Sequence, residues 1–155
     1  MLRKQFLLTL TRSVPVLILV PNVYGCSRAR ILEPAALLGQ PFKAPDGRHV
    51  VTGNAFFRFF EIKDNLIKFY NAEIRTEQLF VKTYGEHIDE VVVLVNKASF
   101  LQARKEAAAA GGTPEVRENE WARQYKWVKD GIAISLIDTE TPGLNQIILE
   151  RAKKS

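Results

Sequence analysis

Apolar residues alternate with polar ones, or form short unbroken runs, along most of the chain after residue 48, as expected for β-strands. The run 56–62 is rich in phenylalanine, and a turn at residues 64–65 leads into a second apolar run, 66–74. We predict that these two runs pair as a hairpin and that a further strand follows at 79–84. A helix is the alternative for 56–62, because three of its phenylalanines also have helical spacing.

The middle of the chain predicts the centre of the sheet and the main helix. Residues 88–95 form an apolar, β-branched run that is typical of a central strand. Asn96 can then cap a helix that packs Phe100 and Leu101 on the sheet, and the glycine pair at 111–112 can end this helix.

The C-terminal part predicts a three-stranded meander. Trp121, Arg123, Tyr125 and Trp127 fall on alternate positions of a strand. Asp130-Gly131 is a strong signal for a hairpin turn into 132–138. A second turn at 141–143 leads into the last strand, 144–149.

This order of elements predicts an α+β domain over residues 48–155. Its antiparallel sheet would contain about six strands, with one main helix packed on one face. A parallel sheet would need helices between successive strands, and the pattern does not supply them. Residues 26–47 contain three prolines and two glycines, and we interpret them as a tether or an extended arm.

The first 25 residues have the layout of a signal or targeting segment. Basic residues follow Met1, apolar stretches come next, and a short segment with the small residue Gly25 ends the region. The unbroken apolar run 14–20 is shorter than the roughly 20 residues that a membrane-spanning helix needs. This layout favours export of the chain.

The four residues Val23-Tyr24-Gly25-Cys26 resemble a bacterial lipobox, in which small or aliphatic residues precede the cysteine that receives the lipid. The resemblance is to bacterial lipoprotein precursors and covers the leader alone. It implies lipid attachment at Cys26 and a protein of the bacterial periplasm that is held to the membrane by acyl chains. Tyr24 is bulkier than the usual lipobox residue, and Arg12 interrupts the apolar stretch.

Two other interpretations of this region stay open. Cys26 could be a small buried apolar residue. The acid-free, basic segment could instead be a mitochondrial presequence, although Pro15 and Pro21 would break the amphipathic helix that a presequence forms. The alternative location is therefore the mitochondrion.

The net charge of +5 gives little support to nucleic-acid binding once the charges are located. Three positive charges, Arg3, Lys4 and Arg12, lie in the first 25 residues, which contain no acidic residue, so the rest of the chain carries only +2. A nucleic-acid-binding domain normally has a dense basic patch. We expect no nucleic-acid partner.

No motif for catalysis, metal binding or cofactor binding is present. His49 and His87 lie far apart without a cysteine partner, and phosphate-binding glycine patterns, GxSxG and HExxH are absent. We therefore expect no metal, no cofactor, no catalytic residues and no enzymatic activity.

The most distinctive candidates for a binding surface are Trp121, Tyr125 and Trp127, because large aromatic side chains on one strand face often anchor protein interfaces. The alternative is that they belong to the core. Our functional hypothesis is a non-enzymatic binding or assembly domain anchored in the bacterial envelope, with another envelope protein as its partner. A mitochondrial accessory subunit of a large complex such as the ribosome, and an enzyme with a dispersed site, are the alternatives.

Overall fold

The computed structural model describes residues 31–42, 50–53, 57–63, 66–142 and 144–152. These residues form two helices and ten strands. The elements are α1 Pro34–Leu37, β1 Val50–Gly53, β2 Phe57–Ile62, β3 Leu66–Phe69, β4 Ala72–Arg75, β5 Gln78–Tyr84, β6 His87–Val95, α2 Lys97–Gly111, β7 Glu115–Glu118, β8 Ala122–Lys129, β9 Ile132–Thr139 and β10 Asn145–Arg151.

Eight of the strands form one antiparallel sheet in the order β1-β2-β5-β6-β10-β9-β8-β7. The apolar run predicted as a central strand is β6, which pairs with β5 on one side and β10 on the other. Val93, for example, lies opposite Leu79 and Ile147. The sheet has more strands than the six expected, because β1 and β7 add short strands at its two edges.

The phenylalanine-rich run forms a strand, but the predicted hairpin partner is wrong. Strand β2 pairs with β1 and β5, whereas residues 66–75 fold into a separate two-stranded sheet, β3-β4. Ile67 and Ile74 face each other across this hairpin and are completely buried. Pairing β3 with β4 satisfies their backbones and lets both strands place their apolar side chains on the main sheet.

The main helix is confirmed at both ends. The Asn96 side chain accepts a hydrogen bond from the Ser99 backbone N–H at 2.9 Å, and the Gly112 N–H donates to the Ala108 carbonyl. Phe100 is completely buried as predicted, whereas Leu101 is 45% exposed. Leu101 does not pack on the sheet as predicted, because the buried side of α2 continues through small residues, Ala103 and Ala107.

Part of the predicted arm packs against the domain. Leu32 forms a bridge to Ile67 of β3, and the Gly39 N–H donates to the Ile88 carbonyl at 2.7 Å. The side chains of Leu32 and Leu38 belong to the hydrophobic core. Residues 31–42 are therefore part of the folded body.

The two faces of the main sheet differ in what covers them. The covered face carries the fully buried side chains of β6 and β10, and α1, α2 and the β3-β4 hairpin lie over it. The side chains at intervening positions point to the opposite side, which we call the open face. It is defined by Phe80, Val92, Leu94, Ile137, Ile148 and the charged residues Lys82, Glu90, Lys126 and Glu150.

Candidate functional site

The three aromatic residues proposed as a binding surface do not share one environment. Trp121 is 77% exposed, whereas Tyr125 and Trp127 retain only 8% and 4% of their exposure. Tyr125 and Trp127 stack with ring centroids 6.4 Å apart under α2. Only Trp121 is accessible to a partner, and the joint surface expected from the sequence does not form.

Specific contacts hold the two buried rings beneath the helix. The Trp127 Nε1–H donates to the Gly112 carbonyl at 2.9 Å, and Arg104 donates from Nη1 to the Tyr125 hydroxyl at 3.0 Å. The polar atoms of both rings are therefore satisfied inside the protein, as buried tryptophan and tyrosine require. The alternating pattern located the strand correctly but could not show that a helix covers these positions.

Trp121 lies in the loop between β7 and β8, which Asn119 holds in place. The Asn119 side-chain oxygen accepts from the backbone N–H groups of Trp121 and Ala122 at 2.9 and 2.8 Å. A cleft of about 250 Å³ beside the indole contains the Lys97–Asp138 ion pair, whose charged atoms are 2.5 Å apart. The same cleft is bordered by Glu118, Glu120, Arg123 and Glu140.

The open face presents a group of apolar side chains on the central strands of the sheet. Ile148 lies directly opposite Val92, and Val92 lies opposite Phe80, so three apolar side chains form a row across β10, β6 and β5. Leu94 and Ile137 lie in the next row, one on each side of Gln146. All five apolar side chains are only partly buried.

Four charged residues lie beside these apolar residues. Lys82 forms an ion pair with Glu90 at 3.4 Å, and Lys126 lies 4.0 Å from Glu150. Glu90 and Glu150 occupy directly opposite positions on β6 and β10. The face therefore combines an apolar centre with flanking charges of both signs, which is the arrangement found in many protein interfaces.

Sequence reasoning missed the open face, although a signal for it was present. A strand that buries one side needs apolar residues only at alternate positions. Strand β6 is apolar at every position from Val91 to Val95, so Val92 and Leu94 are in excess of what the covered face requires. The continuous run also predicts a central strand, so by itself it does not reveal an uncovered face.

Other predicted positions contribute little or cannot be located. Cys26 and His49 lie outside the described residues. His87 is exposed at the beginning of β6, where it forms a backbone bridge with Pro41. Among the described residues, no His, Cys, Asp and Glu side chains are grouped as the ligands of a metal ion would be.

Neither helix in the described part of the chain has the length and apolarity that crossing a bilayer requires. Comparison with protein-family models, with curated proteins and with solved structures finds no match to this chain.

Proposed function

We propose that the protein is a non-enzymatic binding or assembly domain of the bacterial envelope, that it is anchored by lipid at Cys26, and that it binds another envelope protein through the open face. The observation that carries the binding role is the row Phe80, Val92 and Ile148, which is apolar and partly accessible at the centre of the sheet. We also propose the α+β class for the domain, since α2 and the hairpin together form a second layer on the antiparallel sheet.

The apolar side chains of the central strands would supply most of the free energy for binding a partner. Burying apolar surface contributes about 25 cal/mol for each Å² that leaves water, so a partner lying over the apolar rows gains directly from covering them. Contiguous apolar surface on monomeric proteins often marks an interaction site, and the apolar side chains of the open face are adjacent and partly exposed. The Lys82–Glu90 pair at the edge of the patch would contribute orientation rather than most of the affinity.

The proposed anchor is consistent with the position of the packed arm. Residues 31–42 belong to the body, so only four residues separate Cys26 from Ile31 at the beginning of the described chain. An extended chain spans at most about 3.6 Å per residue, so the tether reaches no more than roughly 20 Å. A lipid at Cys26 would thus hold the domain close to the membrane surface.

The binding role can be tested by placing a photo-crosslinking amino acid at position 148 in the protein's native cells. A matched control places the same group at Leu101, which is an exposed apolar residue on α2. We expect a discrete adduct with another envelope protein from position 148 alone, and we expect Val92→Lys to abolish it. A lysine there can extend its ammonium group into solvent, so circular dichroism should be unchanged.

Three results would contradict this proposal. Equal crosslinking from positions 148 and 101, or an adduct that survives Val92→Lys, would show that the open face is not selective. An adduct containing only two copies of this chain would show self-association in place of an envelope partner.

The anchor is tested separately by measuring the intact mass of the protein recovered from bacterial membranes, beside a Cys26→Ser control. We expect a mature chain that begins at Cys26 with added acyl mass, and we expect the control to lack this mass. An unprocessed product in both would refute the anchor and favour the mitochondrial alternative, whereas the open-face experiment would still test binding.

A further inference from the structure

A cleft separate from the one at Trp121 lies on the covered face of the sheet, between α1, the β3-β4 turn and the β8-β9 turn. This cleft has a volume of about 220 Å³. Its apolar surface comes from Phe69, Ile132, Ile134 and Leu149. It is separate from the open face, because Ile134 and Leu149 are buried residues of the covered face.

Tyr70 lines this cleft in an unusual backbone conformation. Its φ angle is 53°, in the left-handed region that glycine, asparagine and aspartate adopt most readily. Its ring meets the ring of Phe69 edge-on, with centroids 4.9 Å apart. Asn71 is the next residue and is a type that tolerates a positive φ, yet the turn places the bulky tyrosine in that conformation. Strained residues of this kind often occur at ligand sites.

The residues that line the rim carry two positive charges and one negative charge, and Glu33, which is not part of the lining, is paired with one of the two lysines. Lys68 and Lys129 contribute two ammonium groups, and Asp130 contributes one carboxylate. Burial, with a smaller effect from the charge of Asp130, raises the pKa of Tyr70, so its hydroxyl stays protonated and can donate a hydrogen bond.

The two lysines can contact a ligand at little cost in the stability of the protein. The Lys68–Glu33 ion pair is 3.3 Å long and more than half exposed on both sides. Exposed pairs of this kind contribute little to stability, so Lys68 can exchange partners. Lys129 donates one hydrogen bond to the Ala110 carbonyl at 2.7 Å, and a lysine ammonium has three donors.

The size of the cleft limits the apolar part of a ligand. A cavity of about 150 Å³ accommodates benzene, and drug-sized ligands occupy pockets of about 300 Å³ or more. The volume of about 220 Å³ therefore fits one aromatic ring or a short alkyl chain.

We infer that this cleft binds a small carboxylate, with its apolar ring or short chain on Phe69, Ile132 and Leu149 and its anionic group between Lys68 and Lys129. The inference does not depend on the envelope anchor or on the open face, because it concerns a different surface.

The test uses 3-phenylpropionate as the probe and 3-phenylpropan-1-ol as its uncharged counterpart. We titrate each into the isotope-labelled protein and follow backbone amide signals by NMR. We expect saturable shifts at Tyr70, Ile132 and Leu149 with a dissociation constant on the order of 1 mM, and binding of the alcohol about tenfold weaker.

Substitutions then locate the charge recognition. Lys68→Gln and Lys129→Gln should each weaken 3-phenylpropionate binding about two- to fivefold and leave the alcohol unaffected. Lys105→Gln, an exposed position of α2 that does not line the cleft, is the matched control. Ala35→Trp should fill the cleft from its rim and abolish binding of both probes.

The inference is overturned if the wild-type protein shows no saturable shifts at these positions, or if the acid and the alcohol bind equally. It is also overturned if the lysine variants bind the acid as the control does. The comparison of the two probes on the wild-type chain keeps the test decisive even if Ala35→Trp does not fold.

Discussion

The close contact between Gly111 of α2 and the Trp127 ring allows the effect of a substitution on the free energy of unfolding to be predicted. A Cβ atom added at Gly111 would lie 2.7 Å from the Cδ1 atom and 3.3 Å from the Cγ atom of the Trp127 ring. The ring cannot retreat easily, because it is 4% exposed and its Nε1–H is bonded to the Gly112 carbonyl. Gly111→Ala should therefore strain the junction between the helix and the sheet.

Two opposing effects determine how much Gly111→Ala changes the free energy of unfolding. Overpacking a well-packed core destabilises a protein by about 1–3 kcal/mol. Replacing glycine by alanine in a helix contributes about 0.5–1 kcal/mol in the other direction, and less at the last helical residue. We expect Gly111→Ala to lower the free energy of unfolding by about 1–2 kcal/mol, measured by urea denaturation with circular dichroism.

A double-mutant cycle isolates the cause. In a Trp127→Ala background the clashing ring atoms are gone, so Gly111→Ala should be neutral or slightly stabilising, with a coupling energy of about 1–3 kcal/mol. Gly85→Ala is the control, because its Cβ would meet nothing within 4 Å while its φ of 61° is unfavourable for alanine. It should destabilise both backgrounds equally. The same loss for Gly111→Ala in both backgrounds, or a gain in the wild-type chain, would refute the reasoning.

Two further predictions concern polar side chains, Asn145 and Tyr70. Asn145→Ala should lower the free energy of unfolding by about 1–3 kcal/mol, because the buried Asn145 oxygen accepts a hydrogen bond from the Thr139 N–H at 3.1 Å. Its control, Gln146→Ala, should change the free energy of unfolding by less than about 0.5 kcal/mol, and urea denaturation measures both. Burial raises the pKa of Tyr70, so its contribution to stability is present below the unfolded value of about 10 and is lost as the pH rises through the higher folded value. Urea midpoints from pH 8 to 11 should therefore fall less steeply for Tyr70→Phe than for the wild type, and Tyr84→Phe, which removes an exposed hydroxyl, should not reproduce this effect.

The parts of the fold that the sequence predicted correctly depend on local signals. The side chain of Asn96 can reach only the first turn of its own helix, and Asp130-Gly131 adopts the positive φ angles, 52° and 75°, that a two-residue hairpin turn requires. The central position of β6 follows from the apolarity of a single segment. Each of these features is determined by neighbouring residues, so a single sequence suffices to predict it.

The parts that were missed depend on contacts between distant segments. Strand β2 pairs with β5, and nothing within residues 57–62 distinguishes that partner from the nearer β3. The burial of Tyr125 depends on α2, which begins 28 residues earlier in the chain. Alternation predicts that two faces exist but does not identify the one that is covered.

The open face could not be predicted from the sequence for the same reason. One layer made of α2 and the β3-β4 hairpin can cover only one side of an eight-stranded sheet. In the part of the chain that the structure describes, the apolar side chains on the other face, such as Val92 and Ile148, therefore stay partly exposed. The sequence shows how many apolar residues the central strands contain. Only the topology of the sheet shows which of them are left uncovered.

The proposed anchor and the proposed binding face are compatible in space. The packed arm enters the body on the covered face, where Leu32 pairs with Ile67 of the β3-β4 hairpin. The open face is on the opposite side of the sheet from that point of entry. A lipid at Cys26, joined by only four residues to Ile31, would therefore be attached on the side away from the open face and would not compete with a partner there. Shortening the tether further should accordingly preserve binding at Val92 and Ile148.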